Sequence, residues 1–425
     1  MSAAGTVAPA ARVRCGDHLD LALTAAPPMR REASPRGFRR VCAAFFVLQA
    51  GGTLPVPLYV LWKERLGFGT GTLTLVFAVY ALGTLTSLLL LAPLSDQIGR
   101  RPALLTAVGL AAVSTALFLV ADAVAVLFLA RFLSGMAVAM NTSTGTAALR
   151  ELAPAGQERR ASVTASALNM GGLALGPLLA GLLAEYGSDP TRLVFWVYLA
   201  LLVAAAAAIV SSSETVRAAA RVVVRPRRLA VPPGARGEFA VAAATIFCSF
   251  TVLGLFSSLV PSFLATSLHE HNHAVAGGVA AAIFAVATAV QVVLGRLSPR
   301  QALGIGLPVL IGGLALVEGG LRTEALGVFL AGTAASGIGV GLSFMASTAI
   351  VNRIAPPRRR AELMAAYFAS GYCGQTIPVV AIGATSGWIG TADATLGCAI
   401  ATAALAAATL LVASGMRKAG APAVA

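Results

Sequence analysis

The sequence PLSDQIGRRP, at residues 93–102, joins two apolar stretches at about 72–93 and 103–121. This short connection concentrates an acidic residue, a glycine and two arginines, which are Asp96, Gly99, Arg100 and Arg101. An apolar stretch of about 20 residues is long enough to cross the hydrocarbon core of a bilayer as a helix. We therefore interpret residues 93–102 as a charged loop at a membrane surface, between two membrane-spanning helices.

Apolar segments of the same kind recur along the chain. Its 425 residues are 57% hydrophobic and only 11% charged, whereas a soluble domain carries about 25% charged residues. The other segments lie at about 41–62, 124–148, 161–184, 192–212, 238–262, 275–295, 302–319, 325–350, 362–386 and 393–414. The pattern predicts an all-α integral membrane protein with twelve transmembrane helices in two six-helix halves.

These segments divide the chain into five predicted parts. Residues 1–40 are rich in Arg, Pro and Ala and are predicted to form a disordered tail without a signal peptide. The sequence leaves open whether translation begins at Met1 or Met29. The other parts are a six-helix half at 41–212, a basic linker at 213–237, a second six-helix half at 238–414 and a short tail at 415–425.

Basic residues are distributed unequally between the predicted loops. With the N-terminus inside, the outer loops hold only Lys63, Arg65, Arg192 and Arg322, and the many other loop arginines lie on the inner side. Basic loops favour the cytoplasmic side of a membrane, so both termini are expected in the cytoplasm. The net charge of +14 is therefore expected to face the lipid leaflet and not nucleic acid.

The loop at 93–102 resembles the loop 2–3 signature of the major facilitator superfamily, written G-x-L-a-D-r-x-G-r-[KR]. Asp96, Gly99, Arg100 and Arg101 match it, while Pro93 and Gln97 stand where a glycine and a basic residue are usual. The resemblance implies two related six-helix halves with a solute site between them. An aspartate at a helix end can pair with an arginine and with the N-terminus of a neighbouring helix. We therefore expect this loop to hold a cytoplasmic gate closed.

The fourth span contains Arg131 and Gly135, which resemble the R-x-x-x-G motif of many family members. In related drug–proton antiporters this arginine is associated with proton transfer. A charge at bilayer depth raises the free energy of the protein unless it faces a partner or water, so Arg131 is a candidate functional residue. The alternative is an arginine at the outer end of the helix, near Asp122, that reaches up to the lipid headgroups.

The fifth span contains Gly172, Gly176 and Pro177, which resemble the antiporter motif G-x-x-x-G-P-x-x-G-G, with Ala180 replacing one glycine. The family associates this motif with export, and Ser213-Glu214-Thr215 ends the sixth span as in the same group. Glycines four residues apart allow close helix packing, and Pro177 bends the helix. A generic packing face of small residues is the alternative.

Polar residues inside the predicted spans are candidates for the substrate path, because each needs a partner, water or solute. They are Gln49, Thr53, Asn141, Asn169, Gln291, Ser343, Tyr367 and Gln375. Contact between helices is an alternative explanation for each. Acidic residues are expected almost entirely at helix ends or in loops, so the spans are expected to contain no buried carboxylate for proton coupling.

These observations predict a secondary active transporter in a bacterial cytoplasmic membrane. It is expected to act as a monomer and to export a small organic molecule, such as a drug, antibiotic or metabolite, by proton antiport. The alternatives are an uptake symporter for a sugar or another metabolite, a membrane-embedded enzyme and a receptor. The sequence lacks a phosphate-binding glycine loop and a CxxC motif, so no cofactor or metal is expected. The histidines at 269, 271 and 273 are expected to lie in a solvated loop.

Overall fold

The computed structural model describes residues 34–154, 156–219, 229–356 and 359–419. Over these ranges the chain is helical and contains no strand. Most of the predicted N-terminal tail at 1–40, the middle of the linker and the end of the C-terminal tail lie outside the described residues.

Twelve long helical segments, labelled α1 to α12, follow one another in the described ranges. In the first half α1 comprises Pro35–Ala50 and Tyr59–Leu66, followed by α2 (Thr70–Thr86), α3 (Arg100–Leu119), α4 (Val124–Leu152), α5 (Glu158–Tyr186) and α6 (Leu193–Val210). In the second half α7 comprises Arg236–Ser258 and Val260–Ser267, followed by α8 (His273–Val293), α9 (Pro299–Arg322), α10 (Leu326–Ile354), α11 (Arg360–Ile389) and α12 (Thr391–Ala419). A π-helical turn at Ser87–Leu91 extends α2, and the short helix Ser95–Ile98 lies in the charged loop.

Ten of these segments are, over the described residues, long and apolar enough to cross a membrane. The other two are α1 and α11. A turn and a 3₁₀ helix at Val56–Leu58 interrupt α1, where Pro55 and Pro57 lack the backbone N–H that a continuous helix needs. The middle of α11 carries Ser370, Gln375 and Thr376. Broken or polar helices are tolerated at membrane depth where protein surrounds them, so α1 and α11 belong to the interior of the bundle.

The ends of the first-half helices that lie beside the charged loop meet at one face of the bundle, which we call the Arg100 end. Arg40 at the start of α1 donates a hydrogen bond to the carbonyl of Ser211, just after α6. The N–H of Ala219 donates to the carbonyl of Gln97 at 2.7 Å. The start of α1, the charged loop and the segment after α6 therefore lie together.

The two halves contact each other through α5 with α8 and through α2 with α11. At the opposite face, which we call the Glu185 end, the backbone N–H of His273 donates to Glu185 Oε2 at 2.8 Å. Further along the same seam, Ser166 donates to Gln291 Oε1 at 2.6 Å, in the last turn of α8. On the other seam Gly383 lies against Thr74. The contacts of α5 with α8 therefore run from the first turn of α8 to its last turn.

Candidate functional site

Arg100 is the centre of a charged cluster at the Arg100 end. Its side chain is 10% exposed and its Nη1 donates to Asp96 Oδ1 at 2.6 Å and to Ser95 Oγ at 2.8 Å. Its Nη2 donates to Glu151 Oε1 at 2.8 Å. A bond between a guanidinium and a carboxylate is charge-assisted and is stronger than a neutral one. Arg100 therefore ties the charged loop to the end of α4.

Glu214 caps the N-terminus of α3 from beyond the end of α6. Its two carboxylate oxygens accept the backbone N–H groups of Arg100 and Arg101, each at 2.8 Å. The first N–H groups of a helix have no partner within the helix, and a negative charge beside them is favourable. Thr215 adds a hydrogen bond from its hydroxyl to Glu151. The cluster thus joins the ends of α4 and α6 to the start of α3.

Gly99 lies between these groups in a conformation that other residues rarely adopt. Its φ is +103°, and a Cβ atom at this position would lie 2.7 Å from Glu214 Oε2. Both the backbone and the space around it therefore favour glycine. The glycine of the signature lets the Glu214 carboxylate reach the helix end.

The structure changes the expected roles within this loop. Asp96 pairs with Arg100 as predicted, but the carboxylate on the N-terminus of α3 belongs to Glu214. Arg101 takes part through its backbone N–H. Glu151 was missed. The contacts of Arg100 lie within the first half, so the cluster holds that half together in this state. The role of the cluster as a cytoplasmic gate stays a prediction.

Arg131 lies inside the first half with 0% of its surface exposed. Its Nη1 donates to the carbonyl of Gly52 at 2.9 Å, in the break of α1. Its guanidinium carbon lies 4.5 Å from the ring centroid of Tyr80 and 5.6 Å from that of Phe77. Such ring faces attract a cation. Arg131 therefore links α4 to the broken part of α1 and to the aromatic face of α2.

The alternative interpretation of Arg131 as a residue that reaches the headgroups is wrong. An arginine that reached the membrane surface would be exposed, whereas Arg131 is buried on all sides. Asp122 is exposed at the start of α4. Over the described residues no carboxylate lies within salt-bridge distance of Arg131. Arg131 therefore forms no ion pair with Asp122 in the described part of the chain.

Gly135 sets the distance between α4 and α2. A Cβ atom on Gly135 would lie 2.1 Å from the Tyr80 carbonyl oxygen, and one on Gly83 would lie 2.0 Å from the Phe132 carbonyl oxygen. The two helices are therefore in backbone contact at both positions. This approach brings the ring of Tyr80 over Arg131, so the arginine and the glycine of the motif act together.

The small residues of α5 pack in two directions. A Cβ on Gly172 would lie 2.5 Å from Gln49 Cβ, and one on Gly176 would lie 2.4 Å from the Ala50 carbonyl oxygen, so both glycines face α1. On the other side Pro177 and Gly181 contact Gly277 of α8, where a Cβ would lie 2.4 Å from the Pro177 carbonyl oxygen. The motif thus fixes α5 to α1 in its own half and to α8 in the other half.

Three of the predicted polar residues come together between α1, α4 and α5. Asn141 Nδ2 donates to Gln49 Oε1 and to the carbonyl of Phe45, each at 3.0 Å. Thr142 Oγ1 donates to the Val138 carbonyl at 2.8 Å, lies 3.4 Å from the same Gln49 oxygen and accepts from Asn169 Nδ2 at 3.3 Å. Gln49 and Asn141 are buried. Sequence analysis missed Thr142, which completes this network.

The remaining predicted polar residues lie elsewhere. Thr53 donates to the carbonyl of Leu173 at 2.7 Å and so joins α1 to α5. Gln291 accepts from Ser166 across the seam between the halves. The Tyr367 hydroxyl contacts Ser347 and Thr348 of α10, at 2.8 Å and 3.0 Å. Ser343 Oγ and Gln375 Oε1 have no hydrogen-bond partner within the described residues.

One acidic residue lies deeper than expected. Glu318 is 8% exposed and lies one turn before the end of α9. The expectation that buried carboxylates are absent from the spans is therefore wrong at this position. The apolar sequence on both sides of Glu318 places it near the helix end, but its burial depends on how α9 packs, which the sequence does not reveal.

Within the described ranges no group of three or more His, Cys, Asp or Glu residues could hold a metal ion. Three features bear on function: the Arg100 cluster, the buried Arg131 and the two seams between the halves. They belong to a helical membrane protein whose two halves meet along a lengthwise seam.

This architecture has a counterpart among known families. The family model of the Major Facilitator Superfamily matches residues 41–321, about two thirds of the 425-residue chain. The chain therefore belongs to the Major Facilitator Superfamily and is a secondary transporter of the lipid bilayer with the all-α, twelve-helix fold. No curated protein matches its sequence.

Proposed function

We propose that this protein exports a small organic molecule across the cytoplasmic membrane of a bacterium by alternating access. The packing of α5 supports this proposal most strongly. Gly176 contacts α1, while Pro177 and Gly181 contact α8. A helix held by backbone contact on both sides transmits movement of one half to the other, and this α5 motif resembles the one associated with exporters.

The contacts between the halves support a state that receives solute from the cytoplasm. They include the Glu185–His273 bond, the contact of Gly277 with Pro177 and that of Gly383 with Thr74, all near the Glu185 end. The distribution of arginines predicts that the Arg100 end, with both termini, faces the cytoplasm. On this orientation the outer side of the protein is closed, and an exporter loads its solute in this state.

Neutral polar and aromatic side chains characterise the interior near the seam. Phe250 and Tyr372 pack edge to face at 5.5 Å between ring centroids, and Phe344 lies 6.3 Å from Phe250. Gln49 and Asn141 supply amide groups in the first half. Such a surface binds ring faces and single hydrogen-bonding groups. We infer a moderately hydrophobic solute that is uncharged or weakly charged.

Proton antiport is the coupling mode that we propose. Glu185 is an acidic residue at the outer contact between the halves: its carboxylate accepts from the first N–H of α8 and therefore binds one half to the other. A negative charge beside a helix N-terminus is favourable, so the charge of Glu185 stabilises this contact.

The proposal is tested in everted membrane vesicles from a pump-deficient bacterium that expresses this protein, with a panel of fluorescent amphiphiles and labelled antibiotics. We expect proton-gradient-driven accumulation of at least one compound, and its loss in Asp96→Asn and Arg131→Ala. Gly278→Ala serves as a matched control, because an added Cβ there has no neighbour within 4 Å. Accumulation only in right-side-out vesicles would show uptake, and accumulation without a proton gradient would exclude antiport.

A further inference from the structure

Arg131 brings a positive charge into the first half, and no carboxylate among the described residues lies within ion-pair distance of it. It is 0% exposed, and its one hydrogen bond runs from Nη1 to the carbonyl of Gly52. Its Nε and Nη2 atoms have no hydrogen-bond acceptor among the described residues. A buried charge is strongly unfavourable unless it is paired and its donors are satisfied. The protein part of this site is therefore incomplete.

Tyr59 presents a third unpaired group beside this guanidinium. The residue is 1% exposed, and its hydroxyl has no partner in the described part of the chain. The guanidinium carbon of Arg131 lies 5.8 Å from the centroid of the Tyr59 ring. Buried polar groups in native proteins are nearly always hydrogen-bonded, so unpaired groups on two neighbouring side chains require an explanation.

The chemistry of these groups selects one kind of ligand. Guanidinium nitrogens only donate, and a tyrosine hydroxyl can donate as well, so the missing partner must accept hydrogen bonds. The rings of Tyr80 and Phe77 attract the cation but offer no acceptor in the plane of the guanidinium. A negatively charged acceptor satisfies the donors and compensates the charge in one step.

We propose that Arg131 and Tyr59 bind a small monovalent anion between α4 and the second part of α1. The anion is a dissolved halide or the carboxylate group of a small solute, since both present one negative charge and only acceptor atoms. Arg131 and Tyr59 are almost completely buried, so their side chains must separate to admit even a small ion. This site differs from the seam between the halves, where the transported solute is proposed to bind.

Trp62 provides a local reporter for this site. It is 1% exposed, and its ring centroid lies 6.2 Å from that of Tyr59. The chain has three tryptophans, and the other two, Trp196 and Trp388, are 61% and 86% exposed. Replacement of both by phenylalanine leaves Trp62 as the only tryptophan. Bromide, which quenches indole fluorescence, reaches so buried a ring only through a binding site.

The purified full-length Trp196→Phe/Trp388→Phe protein is titrated with sodium bromide at constant ionic strength, balanced with sodium methanesulfonate. We expect saturable quenching that chloride reverses. Reversal by acetate at similar concentrations would identify a carboxylate as a ligand, and reversal by chloride alone would identify a halide. Tyr59→Phe, which keeps the ring, should raise the half-saturating concentration about tenfold through loss of one hydrogen bond to a charged ligand.

Arg131→Lys keeps the charge and removes the two unpaired guanidinium donors, so saturable quenching should disappear. Tyr198→Phe is the matched control: Tyr198 is equally buried in the same half, and its hydroxyl donates to the Leu48 carbonyl. Quenching that rises linearly, is not reversed by chloride or acetate and is equal in all variants would overturn the proposal in favour of an ordered water. Tyr59→Phe decides the question if Arg131→Lys does not fold.

Discussion

Gly277→Ala places a methyl group in a close backbone contact between the two halves. The new Cβ would lie 2.4 Å from the Pro177 carbonyl oxygen and 2.8 Å from Gly181 Cα. Ordinary contact begins at 3.4 Å, so α8 must retreat from α5 by 3.4 − 2.4 = 1.0 Å. The Glu185–His273 bond lies on the same part of this seam and would be stretched.

The energetic effect depends on the state of the protein. Overpacking by one methyl group costs about 1–3 kcal/mol, and this cost falls on the state in which α5 and α8 touch at this end. Alanine also stabilises a helix by about 1 kcal/mol relative to glycine, but α8 is helical in both states, so this gain cancels in the equilibrium between them. We therefore expect a shift of about 5-fold to 150-fold towards the state that is open at the Glu185 end.

The shift is measured as a distance distribution between spin labels at Ser188 and His271, which are exposed on the two sides of this seam. The native cysteines are first replaced, and one cysteine is then introduced at each of the two positions to carry a label. We expect Gly277→Ala to add a longer distance and Gly278→Ala to leave the distribution unchanged, because its Cβ would meet nothing within 4 Å. Identical distributions for both variants, with both proteins folded, would refute the argument that this contact closes the seam.

Three further changes test the site. Glu214→Gln removes the charge and one acceptor at the N-terminus of α3, so the free energy of unfolding should fall by about 2 kcal/mol, measured by thermal unfolding in detergent. Gln49→Leu deprives Asn141 of one of its two acceptors; we expect about 1–3 kcal/mol of lost stability and reduced transport at equal expression. Glu185→Gln keeps an acceptor for the His273 N–H but removes the charge beside the N-terminus of α8, so the distance distribution between the spin labels should gain the longer distance.

Segment length was sufficient to predict the number of helices, whereas the orientation inferred from arginine placement stays a prediction. Twelve helices were expected, and twelve long helical segments are present in the described ranges. The broken α1 was predicted as one continuous span, because the window 41–62 is mostly apolar and its prolines do not by themselves place a break. The helix count could be predicted because a chain that crosses lipid must form long apolar helices, which are visible in the sequence as long apolar segments.

The candidate site was only partly predictable. Asp96 and Arg100 are four residues apart, and such a pair can be recognised from a motif. Glu151 is 51 residues from Arg100, and Glu214 is 113 residues from Arg101. These partners meet only after α3, α4 and α6 have packed. The burial of Arg131 likewise depends on which face of α4 meets α1 and α2, and a single sequence does not contain that information.

The break in α1 has a consequence for how the protein enters the membrane. Its first helix has only 16 residues, and the turn that follows leaves the Gly52 carbonyl outside the regular hydrogen bonds of a helix. That carbonyl finds its donor in Arg131, 79 residues later in the chain. When α1 leaves the ribosome its partner has not yet been synthesised, so α1 should remain loosely inserted or protected by the insertion machinery until α4 arrives. Biogenesis of the first half is therefore expected to be cooperative across four spans.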